Sequence, residues 1–191
     1  MSSIIGEPVV RIDGVAKATG QASYAADLSL PGMLYGKILG SPCAHGKIKT
    51  VNLERARKIQ GIKAVITGRD FPYLHGECII NIPFLAIDKV RYIGEPVIAV
   101  AADSLETAGR ALELVEVEYE ELPAVFDPEE AMKSGAPLIH EEMGKYQYIS
   151  AVNLLPGTNI CQHFVLSLGD MEEGFRESDY VFEDRFTTPQ V

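Results

Sequence analysis

Residues 97–102, VIAVAA, are six consecutive apolar side chains with no polar position for either face. A run this short does not stand as a helix alone, so it reads as a strand buried on both faces and hence central to a sheet. Asp103 follows at a helix N-cap position, with Glu106 three residues on as in a capping box. Leu105, Ala108, Leu112 and Val115 then recur at helical spacing and give that helix one apolar face. Beyond it Val115, Val117 and Tyr119 alternate with Glu116, Glu118 and Glu120, the period of a strand with one side on a core and the other in water. Residues 88–128 therefore predict strand, helix, strand.

The 191 residues, 47% hydrophobic and 23% charged, suit a soluble globular chain with one sizeable core and the start of a second domain. No stretch approaches the roughly 18 apolar residues of a membrane helix. The opening MSSIIGEPVVRIDG also lacks the basic-then-apolar layout of a signal peptide, so a cytoplasmic protein without a membrane partner is expected. Three cysteines at irregular spacing make no disulfide framework and are read as free thiols. The net charge of -10 argues against a nucleic-acid partner. Residues 103–142 hold 12 acidic and 2 basic side chains, while the rest of the chain balances. That acidity is expected to be a solvated face, the other reading being a docking surface for a basic partner.

Taken in order, residues 4–12 suggest an extended arm and residues 33–39 and 47–51 two strands. Asn52 is placed to cap a short helix bearing Leu53, Ala56 and Ile59, with Gly61 as its stop and a strand over 62–67. Dense Gly, Pro, Asp and Asn punctuation over 68–83 predicts a surface loop of the kind that carries contacts. Asp127 and Pro128 form an N-cap and first-turn pair, Glu129 and Glu130 suit the helix dipole, and Gly135 ends the turn. Residues 136–158 read as a linker, which puts a boundary near 150 and divides the chain into 1–150 and 151–191. In the second part, strands are expected over 159–168 and 180–187, around a brief helix capped by Asp170 and holding Phe175. It looks like a domain cut off soon after it begins.

The motifs that suggest chemistry fail on spacing. GSPCAHGK, residues 40–47, separates its glycines by five residues where a phosphate loop has four, and Ile48 stands where Ser or Thr would ligate magnesium. Ala131, Met132 and Lys133 echo a biotinyl-lysine hairpin, but Ser134 replaces the second Met and the cap puts Lys133 in a helix. Cys43 with His45, His75 with Cys78, and Cys161 with His163 are three scattered pairs without zinc-site spacing. His140 is expected to be a hydrogen-bonded structural histidine. Gly94, Glu95 and Pro96 predict a turn or bulge before the central strand, Glu95 as an acid or base being the other reading. No nucleophile with its base, metal cage or cofactor cradle can be assembled from these residues.

Three blocks in order, RIDGVAKATGQASYAADLSLPGMLYGKILGSPCAHGKI, GIKAVITGRDF and DKVRYIGEPVIAVAADSLETAGRALELVEVEYEELPAVFDPEEAM, resemble the xanthine dehydrogenase and aldehyde oxidase family of molybdenum hydroxylases. The resemblance is to the N-terminal part of the large, molybdenum-binding subunit. It implies an α+β fold: an α/β hammerhead domain followed by the beginning of a molybdopterin-binding domain, with Asn159, Gly169, Asp170 and Phe175 in the latter. It also implies a parent oxidoreductase acting on a small carbonyl, heteroaromatic or CoA-thioester substrate. The parent would carry a molybdopterin cofactor and pass electrons to iron-sulfur clusters and FAD in partner domains or subunits. The catalytic and cofactor-binding residues of such enzymes lie later in the subunit, so no catalytic, cofactor-binding or metal residue is assigned here. Cys43 stands where the family more often has an aromatic or His, and Gly46 where Ala is usual. The expected partner is the remainder of the subunit, with a homo-oligomer through unpartnered C-terminal strands a further possibility. The alternative is a self-standing, non-catalytic interaction module with an acidic docking face.

Overall fold

A computed structural model describes residues 6, 8–186 and 188. The strands are β1 Tyr35–Gly40, β2 Gly46–Asn52, β3 Ile62–Thr67, β4 Leu74–His75, β5 Ile79–Ile80, β6 Ile82–Pro83, β7 Lys89–Val90, β8 Pro96–Ala102, β9 Glu116–Glu121 and β10 Gln147–Tyr148. The helices are α1 Gly14–Ala18, α2 Glu54–Arg57, α3 Leu105–Glu113, α4 Pro128–Ala131 and α5 Met171–Glu177. This is the α+β mixture expected, with antiparallel sheets rather than a parallel one.

β8 is the centre strand of a sheet ordered β1-β8-β3, as its apolar run requires. Leu39, Ile98 and Thr67 face one another across it, then Lys37, Val100 and Val65, then Tyr35, Ala102 and Ile62. α3 closes this side with Ala108 and Ala111, both fully buried in the cluster that holds Ile98, Val100 and Ala102. A second sheet, ordered β7-β2-β9, adds Ile48 and Val90, with Val117 and Tyr119 packed against the same core. The strand-helix-strand unit thus crosses from one sheet to the other: β8 and β9 never pair, and α3 is the bridge.

Several expectations are corrected. α3 is capped by Ser104, not Asp103: Ser104 is the residue in extended conformation, and its Oγ accepts from the Thr107 N–H at 3.1 Å. Asp103 instead gives its N–H to the Gly61 carbonyl at 3.0 Å and pairs with Lys63 at 3.1 Å. The buried face of α3 turns accordingly, leaving Leu105 exposed. Residues 136–158 are not a free linker. β10 pairs with β5, Met143 is buried, and Asn159 bonds the Ile139 N–H and the Ala131 and Pro137 carbonyls. The stretches 159–168 and 180–186 form no strands: Ile160 and His163 make isolated backbone bonds to Leu155 and Asn153 that do not extend into a ladder. Residue 187 of the second prediction, and residues 4, 5 and 7 of the N-terminal arm, lie outside the described residues.

Other local predictions hold. Asp127 Oδ1 accepts from the N–H groups of Glu129 and Glu130, and Asp170 Oδ1 from that of Glu173; Asn52, by contrast, ends β2 and accepts from the Glu54 N–H, and the cap position of α2 falls to Leu53. The described residues expose 15042 Å², against roughly 9,000 Å² for a compact protein of this mass. Part of the excess sits toward the ends, where Val10, Ile12, Leu166, Leu168, Phe182 and Phe186 are open to solvent.

Ile98 is 0% exposed in the middle of β8, whereas Ile38 on the neighbouring strand is 60% exposed. Ile98→Ala is expected to lower unfolding stability by about 2–5 kcal/mol and Ile38→Ala by less than about 1 kcal/mol, both measured by urea denaturation. Equal losses would show that β8 is not the hub.

Candidate functional site

The densest polar cluster surrounds the turn that leads into β8. Gly94 takes a left-handed conformation, φ +86°, and its N–H donates to the Ser41 carbonyl at 2.7 Å, while the Ser41 N–H donates to the Glu95 carbonyl at 2.9 Å. The approach is so close that a Cβ on Gly40 would lie 3.0 Å from Gly94 Cα, which explains a glycine at the end of β1. Glu95 is buried, and its Oε2 accepts the Arg91 N–H. Burial pushes the Glu95 carboxyl above its usual range, opposed by the bond to Arg91 and by the charges of Arg91 and Lys89. Of its two predicted roles the turn is realised. Its carboxylate is spent on the loop's own backbone.

Lys89 and Arg91 form a latch across the sequence. Lys89 Nζ reaches Glu141 at 2.7 Å and the carbonyls of Ile139 at 3.2 Å and Leu138 at 3.4 Å, and Arg91 Nε adds a bond to the Ile139 carbonyl at 3.2 Å. Burial works to raise the Glu141 carboxyl, but the Lys89 ammonium and the residue's own N–H hold it below the usual range. His140 is indeed hydrogen-bonded, Nδ1 lying 3.0 Å from the Tyr146 hydroxyl. Burial, with Arg91 and Lys89 beside it, pulls its imidazole down to about 4, so it is neutral at pH 7. Sequence reasoning missed Lys89, Arg91, Glu141, Tyr146 and Asn159, since their partners lie up to about fifty residues away and no local spacing announces them.

GSPCAHGK folds as a turn whose donors are already used. Ser41 Oγ donates to the Cys43 carbonyl at 2.9 Å and accepts from its N–H at 3.0 Å, and Cys43 Sγ donates to the His45 carbonyl at 3.2 Å. His45 is buried with Nδ1 2.6 Å from the Pro123 carbonyl; a carbonyl only accepts, so Nδ1 carries the proton. The three Cys/His pairs stay apart: Cys43 is buried, Cys78 and Cys161 are exposed, and His75 stacks on Phe84. Among the described residues no three His, Cys, Asp or Glu side chains gather as metal ligands. Lys133 pairs with Glu130 but, against expectation, lies two residues beyond the end of α4 at Ala131. The acidic face is partly matched from β2 and α2: Thr50 and Asn52 bond Glu118 and Glu116, Lys49 pairs with Glu120, and Arg55 of α2 lies 3.6 Å from Glu116.

Beside the latch lies a cleft of about 550 Å³ lined by Ile79, Val125, Phe126, His140, Met143 and Tyr146, among others. Of its polar groups, His140 and Tyr146 satisfy each other and the Asn159 amide is bonded to the backbone. It offers a mostly apolar surface.

Two antiparallel sheets bridged by one helix, with polar side chains turned to internal bonds, define a scaffold domain of α+β type. Residues 19–123 match the family described as "Aldehyde oxidase and xanthine dehydrogenase, a/b hammerhead domain", and the chain belongs to that family. Over 190 residues it is 42% identical to a probable xanthine dehydrogenase subunit of Bacillus subtilis, covering 98% of this chain and 24% of that protein. It is 34% identical over 190 residues to the nicotinate dehydrogenase large molybdopterin subunit of Eubacterium barkeri, covering 98% and 41%. Among solved structures it resembles the reconstituted CO dehydrogenase of Oligotropha carboxidovorans, with a TM-score of 0.65 and 34% identity over 72% of this chain and 18% of that one. The chain therefore corresponds to one part of the large, molybdenum-binding subunit of such enzymes, and spans a quarter to two fifths of these two relatives. The alternative of a self-standing acidic interaction module finds no support in these matches.

The buried titrating groups give pH dependences of opposite sign. His140 is lowered from 6.5 to about 4, so from pH 6.5 downward the unfolded chain takes up a proton that the folded one refuses. Stability should fall across that window, and His140→Gln should flatten the fall in thermal scans. Glu95, raised in the fold, adds stability below the usual carboxylate pKa that is lost as pH rises through its raised value. Glu95→Gln keeps the acceptor for Arg91 and should melt higher than the parent at pH 8; a lower melting point would mean that the charge itself holds the turn.

Proposed function

We propose that this chain is the N-terminal scaffold of the molybdenum-binding subunit of a xanthine dehydrogenase or aldehyde oxidase-type hydroxylase. The whole subunit oxidises a small carbonyl, heteroaromatic or CoA-thioester substrate in the cytoplasm. Its molybdopterin passes electrons to iron-sulfur and flavin domains or subunits. The continuous match over 98% of the chain to proteins two to four times its length carries this reading. Residues 1–150 are the hammerhead domain and 151–191 open the next one. Support for the division comes from residues 164–186, which are exposed throughout and, among the described residues, return to the earlier part through the Arg185–Glu129 ion pair. Unpaired cysteines suit a reducing compartment, and no helix among the described residues is long and apolar enough to cross a membrane.

The residues here do not fit a molybdopterin. Its phosphate and pterin need free N–H donors and cationic side chains, but the cleft's Asn159 amide bonds three backbone groups, His140 is neutral, and Asp127 stands among its lining residues. Lys89 and Arg91 are turned to the 138–141 carbonyls. The chain contributes no catalytic, cofactor-binding or metal residue. Its work is to hold a rigid two-sheet body against which the rest of the subunit is built.

The full-length gene product, expressed with its partner subunits, should contain about one molybdenum per subunit by metal analysis, whereas the 191-residue chain should contain none and show no hydroxylase activity. Stoichiometric molybdenum in the 191-residue chain, or a reading frame that stops after Val191, refutes the proposal.

A further inference from the structure

The continuous apolar run of β8 predicts a strand covered on both faces, but the described residues cover only one along its whole length. On the other side Ala99 lies between Ile38 and Ile66, and Ala101 between Gly36 and Ala64, so these six residues form two straight rows across three strands. Leu34 continues the alternation just before β1. Ile38 is 60% exposed, Leu34 44% and Ile66 41%; Gly36 and Ala64 are exposed and the two β8 alanines half-buried. Val97, on the same face, is buried at the end where the Ala86 N–H bonds the Pro96 carbonyl at 2.6 Å, and there the cover stops. None of the seven positions is charged or polar.

We infer that this open face of the β1-β8-β3 sheet is a docking surface for an apolar stripe of the same subunit's polypeptide, from the part that lies outside these 191 residues. The inference rests on the reading above and adds the place where the scaffold receives its load. Three observations select that occupant. A strand apolar on both sides is the pattern of a sheet walled on both sides, so the missing wall is apolar too. Each comparison leaves more than half of the relative's length outside this chain, 76% in the Bacillus subtilis protein covered to 24%. The patch is also small, on the order of 400 Å². A stable dimer needs about 800 Å² from each partner, so a second copy seated here gains too little to offset its association entropy. A segment tethered to this domain meets no such cost at the same scale.

The shape of the face refines the partner. Gly36, Ala101 and Ala64 make a shallow row flanked by the taller Ile38 and Ile66, so a backbone can approach closely over the small residues. An amphipathic helix with an apolar stripe fits that trough; a charged segment does not. The acidic strand β9 lies in the other sheet and takes no part.

The test uses Ala64→Cys, a small thiol at the β3 end of the Gly36-Ala101-Ala64 row, in a background with Cys78→Ser and Cys161→Ser. A maleimide reagent is applied to the 191-residue chain and to the full-length subunit, and labelling is followed by mass spectrometry. Labelling is expected to be rapid in the short chain and at least 100-fold slower in the full-length subunit. Equal rapid labelling in a full-length subunit that binds molybdenum overturns this inference and leaves the proposed function standing. Protection already present in the short chain also overturns it, and dilution separates the two causes: concentration-dependent protection means a second copy, concentration-independent protection the chain's own N-terminal arm. Thermal denaturation of each variant guards against misfolding, and Ile66→Cys repeats the test one row away.

Discussion

A strand without polar side chains on either face gains its stability from whatever apolar cover its sheet receives, and β8 imposes that condition on everything around it. β1 and β3 satisfy its backbone on both edges, α3 lays Ala108 and Ala111 toward its inner face, and the second sheet closes the core with Ile48 and Val90. Small residues govern how closely these parts approach. Ala102, Ala108 and Ala111 are all fully buried, so helix and sheet meet nearly backbone to backbone. A larger side chain at any of them would push the two layers apart.

Polar groups then fix the outer pieces. Glu95 ties the turn before β8 to Arg91, and the Lys89 and Arg91 side chains carry the attachment on to residues 138–141. The same economy runs through the buried side chains that look chemically distinctive, which are engaged inside the fold. Cys43 bonds a carbonyl, His45 bonds a carbonyl, and His140 bonds a tyrosine. Such groups orient segments; they are not poised to attack or to ligate.

What is legible in the sequence follows the range of the interactions. β8, α3 and β9 can be read because their periodicity reports burial residue by residue, and the caps at Asp127 and Asp170 because a cap bonds within three residues. The helix start is misread by one position because both Asp103 and Ser104 are capping residues, and the choice falls to a distant lysine, Lys63, that engages the aspartate. The predicted tail strands fail for a different reason: 165–168 and 180–186 have strand composition, but a strand is defined by its neighbour. The latch is invisible, since Lys89 and Ile139 are linked only by the fold. The family can be named from three ordered blocks, although those blocks specify a scaffold and leave the substrate unspecified.

Hydrogen exchange on the 191-residue chain, resolved by peptide, tests most directly the claim that a body organised on β8 carries a C-terminal stretch packed against little of it. The amides of β8 and its pairing strands should exchange at the rate of global unfolding, while residues 164–170 and 178–186 exchange at the rate of an unstructured peptide. Protection of those two stretches to the level of β8, or loss of protection from β8 before the rest of the core, would contradict the account.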